Sequence, residues 1–329
     1  MPGRANTVGI WLIYQLEESR KGEGVRGVLA SIGASSLFGV LFLIPGMLAP
    51  LSGTEVFGWR VLTSLPVALV VLALARCLGD VRAVVRRVRS APRLALVILL
   101  DAALLGVQLW LFSWAPIAGH GLETALGYLL LPLVMVLVGV VMHGERVTAL
   151  RGGAVAAAGV AVAAAFLLDG GLSWVTALVA LGYPLYFQVR RRSGLDSSGV
   201  MLLELAVLVP VAGAIVASGS SVQTLAAHPR LVPVVVLLGV VSGVATLLYL
   251  AAARWLSFSV FGLLSYLEPV LLVVVSVALL SEPFAAVDWL VYGPILAALG
   301  LLSLESARAS RRSVQRAARA PVRERVLTA

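Results

Sequence analysis

The sequence has little charge and almost no cysteine. Charged residues make up 12% of its 329 residues, whereas a typical soluble domain has about 25%. A chain of this length with so few charges cannot cover itself with a polar surface, which excludes an ordinary soluble domain. Cys77 is the single cysteine, so an internal disulfide and a zinc site built from cysteines are excluded as well.

Motifs for nucleotide hydrolysis and for common catalytic sites are also missing. The sequence has no glycine loop that ends in Lys-Ser or Lys-Thr and no Gly-x-Ser-x-Gly motif, so neither direct ATP hydrolysis nor a serine nucleophile of that type is expected. The histidines His120, His143 and His228 form no pair at metal-ligand spacing. We therefore expect no enzyme activity, no cofactor and no metal site.

Long apolar runs dominate the sequence instead. Hydrophobic residues make up 60% of the chain, and a helix that crosses a bilayer needs about 20 mostly apolar residues. The sequence predicts an all-α integral membrane protein with ten transmembrane helices. The predicted spans are residues 27–49, 56–76, 94–115, 122–142, 152–168, 171–189, 199–217, 231–253, 258–280 and 286–304. The fifth and sixth spans are short, and fusing them would give nine.

The basic residues indicate the orientation of these spans. Lysine and arginine favour the cytoplasmic side of short loops. With the N-terminus inside the cell, all 25 basic residues except Arg60 and Arg230 fall in cytoplasmic segments. We therefore expect a multi-pass protein of the cell inner (plasma) membrane, with residues 1–26 and 307–329 as cytoplasmic tails. For residues 1–24, a surface-lying amphipathic segment and a mis-assigned start codon both remain open.

The net charge of +9 follows from this distribution. Basic loops and tails meet an anionic inner leaflet, where each nearby cation gains about 1 kcal/mol. Nucleic-acid binding would require a folded reader domain with a basic face, and none is recognisable in the sequence. The expected partners are a small-molecule substrate and membrane lipid but no nucleic acid, and a homodimer is left open.

Two parts of the sequence share the spacing of their proline and acidic residues. Pro132 precedes Glu145 by the same interval at which Pro269 precedes Glu282. Such a match is informative because apolar identities alone arise by chance in a sequence rich in Leu, Val and Ala.

A second pair of positions supports the same alignment. Arg60 precedes Pro66 by the interval at which Glu204 precedes Pro210. Chance alignment is the alternative. If the match is a repeat, residues 27–168 and 171–306 are two five-helix units. An odd number of spans per unit inverts the second unit in the membrane. Inverted repeats are typical of secondary transporters, whose substrate site lies near mid-membrane between the halves.

Four segments carry a resemblance to a known family. They are Leu122 to Tyr128 continuing through Pro132 to Gly144-Glu145-Arg146, Gly58-Trp59-Arg60-Val61, Gln108 to Trp114-Ala115, and Gly199 to Glu204. Residues 26–306 resemble the RarD-like branch of the EamA, or drug/metabolite transporter, superfamily. The resemblance implies a ten-helix permease made of two five-helix repeats. Relatives export amino acids, drugs and other small metabolites.

Charged side chains within the spans are candidates for gating or for coupling to an ion. A charge at mid-bilayer costs at least about 2.5–3.5 kcal/mol, so it usually faces a cavity or a partner. Arg60 and Glu204 lie near opposite mouths, where each either gates the pathway or extends to the headgroups. Asp101 either carries a coupled proton or is a neutral, hydrogen-bonded acid. Glu123 lies at a span entrance.

Glu268 is the leading candidate for a substrate contact. It precedes Pro269, which frees a backbone carbonyl one turn earlier, and transporter sites are commonly built from a carboxyl next to such a helix irregularity. The first half lacks an equivalent acid, which favours a single contact to a cationic or amine-bearing ligand. A structural, protonated acid is the alternative. Further candidates, each with ordinary helix packing as its alternative, are Gln108, Trp110, Trp114, Tyr128, Tyr183, Tyr186, Tyr249 and Tyr266.

These observations predict a secondary transporter of small organic metabolites or drugs that works by alternating access through a central cavity. One alternative is a translocase of lipid-linked headgroups, which would need a groove open laterally to lipid. Another is a membrane-embedded enzyme or scaffold. An enzyme should bring an acid and a base together near one interface, whereas the sequence has scattered single acids.

Overall fold

The structure is a computed structural model of the chain. It describes residues 5–74, 76, 78–143, 148–169, 172–195, 197–256, 260–261 and 264–319, and within them the regular secondary structure is helical, with no strands. The helices are α1 Ala5–Met47, α2 Gly53–Leu74, α3 Leu78–Ser90, α4 Arg93–Ala118, α5 Gly121–His143, α6 Ala149–Asp169, α7 Trp174–Ser193, α8 Ser198–Ser218, α9 Ser221–Ala227, α10 Val232–Trp255, α11 Leu267–Ala278 and α12 Trp289–Arg319. Two short 3-10 turns, Pro229–Leu231 and Ala286–Asp288, precede α10 and α12.

Local sequence signals set several helix ends. Helix α7 starts after Ser173, whose hydroxyl accepts a hydrogen bond from the Val175 N–H, as expected of a helix N-cap. Helices α4 and α7 stop at Gly119 and Gly194, which adopt φ of 75° and 61°. Glycine tolerates this left-handed conformation without the steric cost that a Cβ atom brings. The glycines therefore mark where these two helices end.

Eight helical segments are long and apolar enough to cross a membrane. They are Val25–Met47, Gly53–Leu74, Arg93–Ala118, Gly121–Val141, Ala149–Leu168, Gly199–Ser218, Pro229–Tyr249 and Ala286–Glu305. This confirms a polytopic helical membrane protein. The other two predicted spans contain α7, which ends in three arginines, and α11, which has 12 residues. The fusion of the fifth and sixth spans is wrong, because α6 ends at Asp169 and α7 begins at Trp174.

Side-chain contacts show which helix ends lie together. Arg87 of α3 donates hydrogen bonds to the carbonyls of Gly194 and Ser193 at 2.6 and 3.0 Å, so α7 ends beside α3. We call this end of the bundle the α3 end. Helix α4 begins at Arg93, directly after α3, and so also starts at the α3 end. Elsewhere in the bundle, Arg151 near the start of α6 lies 3.2 Å from Glu305 of α12.

The opposite end, which carries α9, is called the α9 end. There Glu282 accepts hydrogen bonds from the N–H groups of Gly121 and Leu122 at 2.7 and 2.6 Å, which caps the start of α5. Thr176 of α7 donates to the Glu123 carbonyl of α5 at 2.8 Å. Helix α7 therefore runs from the α9 end to the α3 end, alongside the eight apolar segments.

Small residues allow close contact between helices α2 and α10. An added Cβ on Gly239 would lie 2.6 Å from the Thr63 Cβ atom, and one on Gly243 would lie 1.8 Å from a Val67 methyl carbon. These glycines are four residues apart on one face of α10, a spacing that brings membrane helices together. Since backbone and side chain already touch here, neither position can accept a larger residue without movement.

Two segments between predicted spans contain helices. Residues 76–93 hold α3, whose Val84 is buried beside Ile98, Leu195 and Val200. Residues 218–230 hold α9. Helix α3 was not predicted because its many arginines make the segment polar on average. Its apolar residues nevertheless follow the helical spacing of three, four and seven residues, at Val81, Val84, Val85 and Val88.

Candidate functional site

A cavity of about 410 Å³ lies between the helices, within the range of small-molecule sites in proteins. Its walls come from α1, α2, α4, α5, α7, α8, α10 and α11, and none of its lining residues belongs to α6 or α12. Most of the lining is apolar, including Phe38, Leu41, Phe112 and Leu131. Polar groups are few, which makes each of them a candidate for orienting a ligand.

Two tyrosines join α5 and α7 at this cavity. The hydroxyl groups of Tyr128 and Tyr183 lie 3.1 Å apart, and the two rings are in contact with centroids 5.6 Å apart. Phe112 packs edge to face against Tyr128 at 5.9 Å. One wall of the cavity is therefore an aromatic surface with two hydroxyls that can also bond to a ligand.

Arg60 carries a positive charge into the cavity from α2. Only 6% of the residue is exposed. Its guanidinium is 3.5 Å from the Ser113 hydroxyl and 4.9 Å from the centre of the Phe112 ring, at the outer limit of a hydrogen bond and within reach of a cation–π contact. Among the described residues, no carboxylate lies within 4.0 Å of it. Arg60 is therefore a buried cation without an anionic partner.

Glu268 carries the opposite charge into the same cavity from α11. This helix begins at Leu267, after a turn at residues 265–266, so the predicted span 258–280 is interrupted just before Glu268. In the first turn of a helix the backbone dipoles favour a negative charge. Within the described part of the chain, the Glu268 carboxyl makes no hydrogen bond or ion pair. It is thus available to a ligand.

A buried polar cluster is centred on Arg190 near the α3 end, and its Tyr186 and Arg190 also line the cavity. The Arg190 guanidinium lies 3.5 Å from Glu204 of α8, and the Tyr186 hydroxyl donates to the same carboxylate at 2.8 Å. Arg190 also donates to the carbonyls of Leu195 and Ser197 at 3.2 and 2.8 Å. Glu204 is completely buried, so this pair is shielded from water.

Asp101 of α4 adds a second acid to this cluster. It is also completely buried, and the charges of Arg190 and Asp101 and of Asp101 and Glu204 act on one another. Neither Asp101 carboxylate oxygen nor Glu204 Oε1 has a hydrogen-bond partner among the described residues. Two carboxyls, those of Asp101 and Glu204, therefore lie within electrostatic reach of the Arg190 guanidinium.

Comparison with known proteins gives the family. The Pseudomonas aeruginosa "Chloramphenicol-sensitive protein RarD" is 40% identical over 88% of this chain and 98% of its own length. An "Uncharacterized transporter" of Pasteurella multocida is 36% identical over 77% of this chain and 87% of its own length. The chain belongs to the RarD-like branch of the EamA, or drug/metabolite transporter, superfamily. No family model matches the sequence.

A solved structure has the same overall fold as this chain. This protein crystal structure is 18% identical with a TM-score of 0.53, and the match covers 85% of this chain and 98% of that one. At this identity the likeness shows the fold alone. Together with the eight apolar segments, these relatives make the chain a multi-span membrane protein of a transporter family.

The cavity of this RarD-like chain brings together some of the candidate residues. Those that line it are Arg60, Tyr128, Tyr183, Tyr186, Tyr249 and Glu268. Glu204 and Asp101 lie behind it in the Arg190 cluster, and Glu204 pairs with Arg190 and not with Arg60. The roles of these residues in substrate binding, gating and coupling stay predictions.

Besides Asp101 and Glu204, five further candidates lie outside the lining of the cavity. Gln108 donates to the Leu178 carbonyl at 2.9 Å. Trp110 donates to Thr54 at 3.1 Å and stacks on Trp114. Tyr266 packs against the core formed by α5, α6 and α12.

Glu123 lies in a second pocket, of about 540 Å³, at the α9 end. Its carboxylate accepts a hydrogen bond from Ser173 and lies 2.9 Å from His120.

Arg190 is the main residue that the sequence analysis missed. The sequence places Arg190 with Arg191 and Arg192 in a cytoplasmic segment, because the predicted span ends at residue 189. Helix α7 continues to Ser193, and Arg190 lines the cavity. The helical spacing could have found it, since Tyr183, Tyr186, Phe187 and Arg190 lie three, four and seven residues apart on one face.

Proposed function

We propose that this protein is a secondary transporter that moves small organic metabolites or drugs across the cell inner membrane by alternating exposure of the central cavity. The observation that carries the proposal is the cavity itself, whose mostly apolar lining comes from eight helices and includes Arg60 and Glu268, which form no ion pair with any described residue. A protein that only anchored or scaffolded partners would not need such buried charges, because each is costly in a membrane.

The proposed architecture has ten crossing helices in two inverted five-helix repeats, residues 27–168 and 171–306. Three observations support it. Helix α7 runs between the two ends of the bundle. Leu256 lies against Gly27, at the end of the first apolar segment that is far from α2. Glu282 instead caps α5 at the α9 end. Leu256 and Glu282, which precede and follow α11, therefore lie at opposite ends of the bundle. The cavity draws on four helices from each half.

The proposed orientation places both termini and the α3 end in the cytoplasm, because arginines concentrate there. In the exposed part of α3 these are Arg82, Arg86, Arg87 and Arg89. Epitope tags at the two termini should both be accessible in inside-out vesicles and both be protected in intact cells. Tags that appear on opposite sides would overturn the inverted-repeat architecture.

Solute flux tests the proposed activity. Inside-out vesicles that contain the protein should accumulate amino acids or amphiphilic drugs above the level of vesicles without it, with or without an imposed pH gradient. The Glu268→Gln variant should reach the membrane in normal amount and transport less. Absence of flux for the whole solute set under both conditions would contradict the proposed function. Full activity of the variant would remove Glu268 from the site.

A further inference from the structure

We propose that the exposed side of α3, together with the start of α4, is a binding site for an anionic phospholipid. This inference goes beyond the proposed function, because it concerns the outside of the bundle and does not depend on a transported solute. Its basis is a row of exposed arginines on α3 that is followed by a row of exposed leucines on α4.

Helix α3 carries three arginines at helical spacing. Arg82, Arg86 and Arg89 are four and three residues apart, so they lie on one face of the helix, and all three are exposed. We call this surface the arginine face. None of its side chains forms a hydrogen bond or an ion pair with a described residue. Like charges at this spacing repel one another along a helix, so an anion bound to the arginine face would relieve the repulsion.

The protein holds α3 in a fixed position. Val84, on another side of the helix, is buried in an apolar cluster with Leu195. Arg87 does not belong to the arginine face, since it donates hydrogen bonds to the carbonyls of Gly194 and Ser193. These contacts fasten α3 to the end of α7. The arginine face is therefore presented to the surroundings by a helix that is already anchored.

The start of α4 extends the site toward the hydrocarbon region. Residues 91 and 92 alone separate α3 from Arg93, the exposed first residue of α4. Leu96 and Leu100 follow Arg93 by three and seven residues and therefore lie on the same face of α4. Both leucines are exposed, Leu96 to 70%, within a segment long and apolar enough to cross a membrane. An acyl chain can pack against the leucines while its headgroup stays beside Arg93.

The chemistry of the two parts identifies the ligand. Guanidinium groups match a phosphate through their planar fork of N–H donors, and exposed leucines match a hydrocarbon chain. A soluble anion would use only the arginines. A zwitterionic phospholipid would bring an ammonium group next to the arginine face, where like charges repel. An anionic phospholipid such as phosphatidylglycerol gains from both parts without this penalty.

The site is connected to the wall of the central cavity. Leu195, which packs with Val84 of α3, accepts a hydrogen bond from Arg190 through its carbonyl at 3.2 Å, and Arg190 lines the cavity. A lipid that holds α3 in place therefore also stabilises the connection between α7 and α8. Since a ligand that binds only the folded state raises its stability, an anionic phospholipid should raise the midpoint of thermal unfolding.

Lipid titration of the purified full chain in detergent tests the proposal without any change to the protein. The probes are dioleoyl phosphatidylglycerol and dioleoyl phosphatidylcholine, and native mass spectrometry counts the bound lipid. Phosphatidylglycerol should bind at least about tenfold more tightly, because each cation near the headgroup adds to the attraction. It should also raise the unfolding midpoint more than phosphatidylcholine does. Equal binding of the two lipids would overturn the proposal.

Two double variants locate the site. Arg86→Gln combined with Arg89→Gln should weaken phosphatidylglycerol binding at least about fivefold and leave phosphatidylcholine binding unchanged. Arg191→Gln combined with Arg192→Gln is the matched control, because it removes two exposed arginines from the same end of the bundle. The control should change phosphatidylglycerol binding less than about twofold. If both double variants weaken it alike, net charge attracts the lipid and the proposed site is wrong.

Inorganic phosphate distinguishes a lipid site from a site for a soluble anion. In excess, it should displace phosphatidylglycerol no more than sodium chloride of equal ionic strength does, because phosphate gains nothing from Leu96 and Leu100. Stronger displacement by phosphate would assign the arginine face to a soluble anion and contradict the lipid proposal.

Discussion

Arg190 of α7 and Glu204 of α8 form a buried ion pair, with a nitrogen–oxygen distance of 3.5 Å, and Tyr186 donates a hydrogen bond to the same carboxylate. The pair joins two consecutive helices beside their connection at the α3 end. Asp101 lies in the same cluster, so Arg190 serves two acids. This arrangement of Asp101 and Glu204 around Arg190 leads to two predictions.

The first prediction concerns stability. Arg190→Gln removes the cation that faces these two buried carboxyls and should destabilise the fold by about 3–5 kcal/mol, as expected when a buried pair loses one partner. Glu204→Gln should cost less, because Asp101 remains as a counter-charge for Arg190. Denaturation of the purified variants measures the order.

Arg191→Gln is the matched control for this experiment, since Arg191 is the next residue in the same helix and is exposed. It should behave like the unaltered protein. An equal loss in Arg190→Gln and Glu204→Gln would show that Asp101 does not act as a second counter-charge.

The second prediction concerns coupling to protons. If the cluster holds one exchangeable proton, the carboxyls that compete for it are Asp101 and Glu204, which face Arg190 and Tyr186. Asp101→Asn should then abolish solute accumulation driven by an acidic lumen in inside-out vesicles. Exchange of labelled for unlabelled solute, which needs no net proton movement, should persist. Accumulation that still responds to the pH gradient would remove Asp101 from proton coupling.

The sequence predicted the helical membrane fold because its signals are local and repeated. A run of apolar residues must form a helix in lipid, since every backbone N–H and C=O group must find a partner within the chain. The charged candidates Arg60 and Glu268 were also recognisable, because a charge inside such a run is rare. Their placement at one cavity depends on helix packing and could not be read from spacing.

Arg190 and α3 show where local signals failed. In both cases arginines at the edge of an apolar run suggested a loop. For Arg190 the structure shows otherwise, because α7 continues to Ser193 and buries this first of its three arginines against Glu204. Trp110 and Gln108, which the sequence makes candidates for substrate contact, lie outside the lining of the cavity. Their side chains bond to neighbouring helices through Thr54 and Leu178, so they are packed polar groups outside the cavity lining.

The third prediction tests the contact between α2 and α10. Gly239→Ala would place a Cβ atom 2.6 Å from the Thr63 Cβ atom and 3.0 Å from its backbone carbon. Because backbone cannot move aside as a flexible side chain can, this overpacking should cost about 1–3 kcal/mol. A lower midpoint of thermal unfolding would record the loss.

Gly213→Ala in α8 is the corresponding control, since an added Cβ there meets no atom within 4 Å. Alanine has a higher helix propensity than glycine by about 1 kcal/mol, so this variant should be equal or more stable. If both glycine variants lose stability alike, close approach of α2 and α10 is not the cause.

The fourth prediction concerns the cap that Glu282 provides to α5. Its two carboxylate oxygens accept hydrogen bonds from the N–H groups of Gly121 and Leu122, which otherwise lack a partner at a helix start. Glu282→Ala should cost about 0.5–2 kcal/mol. Glu282→Gln retains one acceptor oxygen and should lose less. The contribution of the cap would be negligible if hydrogen exchange at the start of α5 were unchanged in both variants.

Helices α6 and α12 pack against each other outside the lining of the central cavity. Helix α6 packs against α12 through Ala154, Ala161 and Ala165, and the cavity lining includes no residue of either helix. Val160, Phe166 and Leu167 of α6 point away from the protein. A fluorophore or a crosslinker attached at these positions would report on assembly and on the surrounding lipid while leaving the solute compartment chemically untouched.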